Sequence, residues 1–238
     1  KILDTKSKKN LKNNVVIIAG GKGKRLGKLT RITPKPMITY NNKPHLHELI
    51  ENLVQQGLKN INICLNYKHK FFINYFKNIK IKANLNFIIE KIPLGTAGSL
   101  SNLNLKNNLP IIVMNADIHT NLNFSNLIDF HNENKSEFTI CIKKNTYVSK
   151  YGEILIKDNK ITNIKEKPKK TYFFNSGIYI LNNKIIKNMK KNEKIEMNDL
   201  IIKNIKNKTK ITPFYLHEKW VDFGNKRDLN RLKKNYSL

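Results

Sequence analysis

The residue types and spacing best suited to chemistry lie in Gly20-Gly21-Lys22-Gly23-Lys24-Arg25-Leu26-Gly27, between the apolar run Val15-Val16-Ile17-Ile18-Ala19 and Thr33-Pro34-Lys35-Pro36. A buried strand that ends in clustered glycines and basic residues can bring backbone N–H groups against a phosphate chain. Glycine permits the close approach, and Lys22, Lys24, Arg25 and Lys35 supply cationic donors. Two named phosphate loops do not fit: no Gly-Lys-Ser/Thr closes the stretch, and Leu26 stands where a dinucleotide loop needs its third glycine. The loop alone leaves two readings open, a polyphosphate cradle or a glycine-rich strand-to-helix turn.

The elements that must position this loop can be read from hydrophobic pattern. Strands are predicted over 61–65, 86–90 and 110–115, alternating with helices at Leu46-Leu49-Ile50-Leu53-Val54, around Phe71 to Phe76 and from Ser99 to Leu103. Pro36 to Tyr40 is expected to be extended. Strand and helix in alternation imply right-handed βαβ units and a mostly parallel sheet, an α/β fold with helices on both faces. Ligands of such sheets gather at the carboxyl ends of the strands, where the glycine loop, Pro93-Leu94-Gly95-Thr96-Ala97-Gly98 and Asp117 all fall. After Phe138 the pattern changes to short strands, predicted over 138–142, 152–156, 160–165 and 173–181, with another over 210–215. Helices are predicted over 185–189, 199–205 and 226–232, and residues 1–13 read as a polar tail or linker.

Composition narrows the function classes. The chain has 238 residues, 39% hydrophobic and 26% charged, with 45 Lys and Arg against 17 Asp and Glu and a net charge of +28. The lysines are spread along the whole length among Asn and Ile, without a helix-turn-helix, zinc-finger or aromatic RNA-binding signature, so no nucleic-acid partner is expected. No apolar stretch is long enough for a bilayer, and the cytoplasm is the expected compartment. Cys64 and Cys141 lie in strand-like segments and read as buried thiols, while His45, His47 and His119 have no neighbours that complete a tetrahedral metal set.

Taken in order, several of these stretches resemble the sugar-1-phosphate nucleotidylyltransferases: the glycine loop with Pro34-Lys35-Pro36, Pro93 to Gly98, Asp117, Tyr151-Gly152, Glu166-Lys167-Pro168, Asn175-Ser176-Gly177-Ile178-Tyr179 and Trp220-Val221-Asp222-Phe223-Gly224. The resemblance covers residues 14–238 and implies a Rossmann-like, GT-A type sheet with a small antiparallel sugar-binding part. It implies that Ala19, Gly20, Gly21, Gly23, Lys24, Arg25, Glu90, Pro93, Gly95, Thr96 and Ala97 bind nucleotide. Asn115, Gly152, Glu166, Lys167, Asn175 and Gly177 would hold the sugar phosphate, and Asp117 and Asp222 would share a Mg²⁺. Two hard carboxylates suit an ion that keeps waters and substrate oxygens as its other ligands. Arg25, Lys35, Lys167 and Asp117 would carry catalysis, in which an anionic sugar 1-phosphate attacks the α-phosphorus of a nucleoside triphosphate and releases pyrophosphate.

Within that family the sequence looks most like the nucleotidyltransferase domain of glucosamine-1-phosphate or heptose-1-phosphate guanylyltransferases. The former carry regulatory CBS domains ahead of the catalytic domain, and residues 1–13 are expected to be the remnant of such a junction. Ala116 departs from the glycine usual before the metal-binding aspartate. Glu90 stands about where thymidylyl relatives read the base, and an acceptor-only carboxylate would match the N1–H and N2–H donors of guanine; a solvated strand end is the other reading. The expected substrates are therefore GTP and an amino-sugar or heptose 1-phosphate, with homo-oligomerisation left open. Uridylyl or thymidylyl transfer to a hexose 1-phosphate and a non-catalytic, sugar-nucleotide-binding relative are the alternatives.

Overall fold

A computed structural model describes residues 10–39, 42–105, 107–225 and 227–230. Its frame is a seven-stranded sheet built from β1 (Asn14–Ile18), β2 (Asn60–Leu65), β3 (Asn84–Ile89), β4 (Ile111–Asn115), β6 (Phe138–Val148), β9 (Lys169–Leu181) and β10 (Ile211–Tyr215). The order across the sheet is β10-β6-β9-β4-β1-β2-β3. β1 pairs in parallel with β2 and β4, β2 with β3, and β10 with β6, whereas β9 runs antiparallel to both β4 and β6. The mostly parallel α/β sheet expected from the strand and helix alternation is the one found.

Alternating side chains of the central strands feed two cores. Val15 and Ile17 of β1, with Ile61, Ile63, Ile112 and Met114, pack against helices α2 (His45–Gln55), α3 (His69–Lys77) and α4 (Phe124–Glu133) through Leu46, Ile50, Leu53, Phe72, Phe76, Phe124 and Leu127. Val16, Ile111, Val113, Tyr179 and Leu181 face the other way, onto Ile185 and Ile186 of α5 (Asn183–Lys187) and Met197 and Leu200 of α6 (Met197–Lys206). Both faces of the strands are buried, so the strands read as unbroken apolar runs. Cys64 and Cys141 are buried free thiols inside these cores, and burial pushes Cys64 up to about 12.

Two smaller pairs complete the chain. β5 (Ile118–Thr120) and β11 (Trp220–Asp222) form an antiparallel ribbon, and β7 (Glu153–Lys157) and β8 (Lys160–Lys165) form an exposed hairpin. The first of these has no counterpart in the sequence reading. α4 was likewise not anticipated, although Asn123 caps it by accepting from the Asn126 N–H at 3.1 Å. The helix expected at Ser99 is a short 3-10 turn over Gly98–Asn102, because the segment is held at 97 and 98 by a neighbouring chain segment.

Other boundaries shift for physical reasons. Lys35–Met37 is a 3-10 turn, closed by Met37 N–H on the Pro34 carbonyl at 2.8 Å, where an extended piece was expected. The ladder between β6 and β9 continues to Val148 and Lys169, well past the apolar residues that marked it, since its far half is exposed. At the amino end, the Leu11 N–H donates to Gly57 and Asn13 Nδ2 to Pro110, so residues 11–13 belong to the folded body and not to a tail. Residues 1–9 lie outside the described residues, as do 226, 231 and 232 of the last expected helix, whose residues 227–230 are helical.

Candidate active site

The glycine loop leaves the carboxyl end of β1 between two neighbours. Ala19 N–H donates to Cys64 at 2.9 Å, and Ala116 N–H donates to Ile18 at 3.0 Å, so β2 and β4 fix its departure. Gly23 is left-handed, at φ 61°, and a Cβ there would stand 2.9 Å from Thr30 and 3.1 Å from Lys35. Only glycine suits that position. The Thr30 hydroxyl lies 3.1 Å from the Gly23 carbonyl and 3.2 Å from that of Gly27, tying the loop to the short helix α1 (Lys28–Ile32) that follows.

Opposite the loop stands a cluster of charge. Lys35 is 7% exposed; its Nζ pairs with Asp117, lies 3.8 Å from Asp222 Oδ1 and sits 5.3 Å above the Phe223 ring. Asp117 sits in the turn between β4 and β5, and Asp222 closes β11; the ribbon pairs Asp222 with Ile118, one residue from Asp117. Asp222 Oδ1 is buried and accepts no hydrogen bond among the described residues. Burial, then the neighbouring Asp117 carboxylate, pushes Asp222 above its ordinary range against the pull of Lys35 and Arg25. The Arg25 guanidinium packs on Gly224, where a Cβ would meet it at 3.2 Å. His45 supports the ribbon from below: its Nε2 donates to the Ile118 carbonyl at 3.0 Å and its ring meets Phe223 at 4.5 Å. Burial, then His119, holds His45 near 3, so the ring is neutral.

Two cavities open on this side of the sheet, the first of them onto Lys35 and Asp117. The first, of about 370 Å³, is lined by Ala19, Gly21, Gly23, Lys24, Arg25, Lys35, Thr96, Asn115 and Asp117 among others. The second, of about 350 Å³, is lined by Asn115, Asn175, Gly177 and Thr96 with Tyr179, Glu196, Met197 and Asn198. Thr96 and Asn115 are shared, so the two adjoin. Gly177 is left-handed, and a Cβ there would collide with Asn115 Nδ2 at 2.6 Å. Two adjoining concavities, one against a phosphate-type loop and one against polar side chains, can hold two ligands with a charged cluster beside them.

Other expected residues stand elsewhere. Gly20 lies against Asn66, and Pro93 and Ala97 line neither cavity. Gly95 and Gly98 are glycines for packing: a Cβ on them would lie 2.5 Å from the Ile195 carbonyl and 2.4 Å from that of Glu193. Gly152 and Glu166 are adjacent on the exposed hairpin, 3.2 Å from a built Cβ to Glu166 Oε2, and Lys167 follows at φ 44°; none of the three lines either cavity.

Glu90 is not a solvated strand end. It is 8% exposed, and its Oε2 accepts the Leu94 N–H at 3.1 Å, beneath the loop and away from the lining of the first cavity. Burial pushes it upward against the opposing Leu94 and Ser99 hydrogen bonds. One of its two oxygens is thus engaged within its own loop. Glu196, Met197 and Asn198 were missed, and only the acid ahead of the α6 periodicity marks any of them in sequence.

Comparison with known proteins agrees with this geometry. The chain is 37% identical over 180 residues to a mannose-1-phosphate guanyltransferase of Yarrowia lipolytica, an alignment covering 72% of this chain and 50% of that protein. The chain thus spans about half the length of the curated relative it matches. HddC from Yersinia pseudotuberculosis superposes with a TM-score of 0.75 at 30% identity, covering 94% of this chain and 99% of the other. The same protein complexed with GMP-PN gives 0.73 at 29% identity, with the same coverage. A family model described as nucleotidyl transferase matches residues 14–237, and with it the glycine loop, the paired aspartates and the two adjoining cavities find one explanation: the chain belongs to the nucleotidyl transferase family.

Proposed function

We propose that this chain transfers a guanylyl group from GTP to a sugar 1-phosphate, giving a GDP-sugar and pyrophosphate. The observation that carries the reading is the cluster of buried Lys35 with Asp117 and Asp222, two of whose members, Lys35 and Asp117, line the cavity of the glycine loop. The triphosphate lies along Gly21 to Arg25 and the sugar phosphate in the cavity of Asn115, Asn175 and Gly177. A sugar-phosphate oxygen then attacks the α-phosphorus while the bond to the β-phosphate oxygen breaks. The nucleophile is already an anion, so no base is required, and the chain's task is alignment and charge neutralisation by Arg25 and Lys35. Lys167, which lines neither cavity, is given the sugar phosphate by the resemblance alone.

The orphaned Asp222 Oδ1 beside Asp117 fits a hard cation, and Asp117 and Asp222 would hold Mg²⁺. Bound there, it would neutralise phosphate charge. Guanine as the base is supported by the names of the relatives and the GMP-PN complex, not by Glu90. Among the described residues no helix is long and apolar enough to cross a membrane, in keeping with a cytoplasmic enzyme of sugar-nucleotide synthesis.

Pyrophosphate release over a grid of GTP, UTP, dTTP and CTP against mannose, heptose and glucosamine 1-phosphates tests the reading. Turnover confined to GTP is expected; turnover confined to a pyrimidine triphosphate, or none at all, would overturn it.

A further inference from the structure

Thr96 is one of the two residues that both cavities share, and it is held by a segment far away in sequence. Glu196 Oε2 accepts the Thr96 N–H at 3.1 Å and its hydroxyl at 2.8 Å, across 100 positions. The same hydroxyl accepts the Met197 N–H at 2.7 Å. Beside it, Ala97 and Gly98 donate to the Ile195 carbonyl at 3.1 and 3.2 Å, and Ile195 N–H returns a bond to Leu94 at 3.0 Å. Gly95 is left-handed at φ +80°, and a Cβ there would lie 2.9 Å from Glu196 Oε1. Both carboxylate oxygens are therefore turned onto the loop of residues 93–98.

The position of Glu196 makes this exchange informative. It is the N-cap residue of α6, with extended backbone, yet its side chain makes no bond to its own helix. A short Ser, Thr, Asp or Asn side chain there ordinarily accepts an N–H of the first turn. Instead Thr96 takes the Met197 N–H, so the helix is capped from the loop and the loop is clamped from the helix. Met197 and Asn198, the first residues of that turn, line the second cavity, while the loop edges the first through Thr96. Ordering one therefore orders the other. Glu196 is exposed, so the clamp is open to change when a ligand arrives.

We infer that Glu196 is a positioning residue that couples occupation of the sugar-phosphate cavity to order in the nucleotide loop, through Thr96. The inference rests on the guanylyl-transfer reading. A ligand that favours the clamped arrangement at one cavity raises affinity at the other by the same factor.

The test is calorimetric titration of a non-hydrolysable GTP analogue with and without the sugar 1-phosphate that supports turnover, on the parent chain, Glu196→Ala, Glu196→Gln and Thr96→Val. In the parent the sugar phosphate should tighten analogue binding by about fivefold or more, the usual lower range for coupled sites. The factor should fall to about one in Glu196→Ala and Thr96→Val. Glu196→Gln, which keeps one acceptor, should fall between. The double variant Glu196→Ala with Thr96→Val should lose no more coupling than either single one. Loss of helix stability alone would not erase the factor, so a parent-like factor in folded Glu196→Ala overturns the inference, as does a parent without coupling. If Glu196→Ala does not fold, a parent-like factor in Glu196→Gln overturns it equally. Turnover of the parent with intact coupling in these variants would leave the guanylyl-transfer reading standing, whereas no turnover with any sugar 1-phosphate removes both.

Discussion

Lys35 and Lys167 carry the same charge and, in the proposed reaction, meet phosphate at one reacting centre, but they stand in opposite surroundings. Lys35 is 7% exposed, fixed in a 3-10 turn behind Pro34 and already paired with Asp117. Lys167 is exposed, at φ 44°, on the turn between β8 and β9. Around the first, β1, β4 and the ribbon of β5 and β11 present charge from a scaffold buried on both sides. Around the second, the hairpin of β7 and β8 keeps Ile154, Ile156, Ile161 and Ile164 more than half exposed, with no such core beneath it. The difference teaches that one part of the proposed site is held in place by buried contacts, while the other stands on an exposed hairpin.

That contrast breaks most visibly at the paired aspartates. Asp117→Asn and Asp222→Asn should each lower kcat by at least ~100-fold, the scale of losing a principal electrostatic stabiliser. Thermal unfolding supplies a second reading. Mg²⁺ should raise the Tm of the parent chain, because a ligand bound only by the folded state stabilises it, and should leave both variants unmoved. Near-normal turnover in either variant would remove the aspartates from the chemistry and dissolve the distinction drawn from Lys35.

At Lys167 the expected effect is smaller and one-sided. Lys167→Ala should reduce kcat/KM for the sugar 1-phosphate by roughly tenfold, the worth of one charge-assisted contact of about 1.5 kcal/mol. Binding of a GTP analogue without sugar, and Tm, should stay near parent values, since an exposed side chain on a hairpin supports no core. If calorimetry showed the nucleotide lost instead, the two halves of the site would be assigned the wrong way round.

The same contrast explains what could be read without coordinates. β1 and β4 were legible because burial on both faces leaves continuous apolar runs, β2 because Ile61, Ile63 and Leu65 alternate along it, and the glycine loop because Gly23 and its basic neighbours are contiguous. Asp117 and Asp222 were legible only through resemblance, since the β5 and β11 ribbon that unites them joins strands of three residues each. The far half of the β6 and β9 ladder carries Lys, Asn and Thr on exposed faces and so resembles a loop. The clamp on Thr96 was invisible for a different reason: its partners lie 100 positions apart, and Glu196 belongs to no motif. Gly95 and Gly98 could be recognised as special, but the force that selects them is the approach of the 193–196 backbone and not a phosphate.

Glu90 gives the smallest expected effect and the finest test of the contrast, because it lies on the nucleotide side yet outside the cavity lining. Its Oε2 holds the Leu94 N–H at 3.1 Å, and we propose that it anchors the loop that carries Thr96 and does not read the base. Gln keeps an acceptor for that N–H, whereas Ala leaves the donor without one in a buried place, at a cost of about 1–3 kcal/mol. Glu90→Gln should accordingly leave the ratio of GTP to UTP efficiency within about threefold of the parent. Glu90→Ala should weaken every triphosphate alike, by several-fold in KM, since a loosened loop does not discriminate among bases. Had the carboxylate read guanine N1–H and N2–H, the Gln variant would instead lose ten- to a hundredfold of its preference, because an amide nitrogen would face a donor. A ratio shifted on that scale in Glu90→Gln would return Glu90 to the base and make the nucleotide side a site that discriminates as well as aligns.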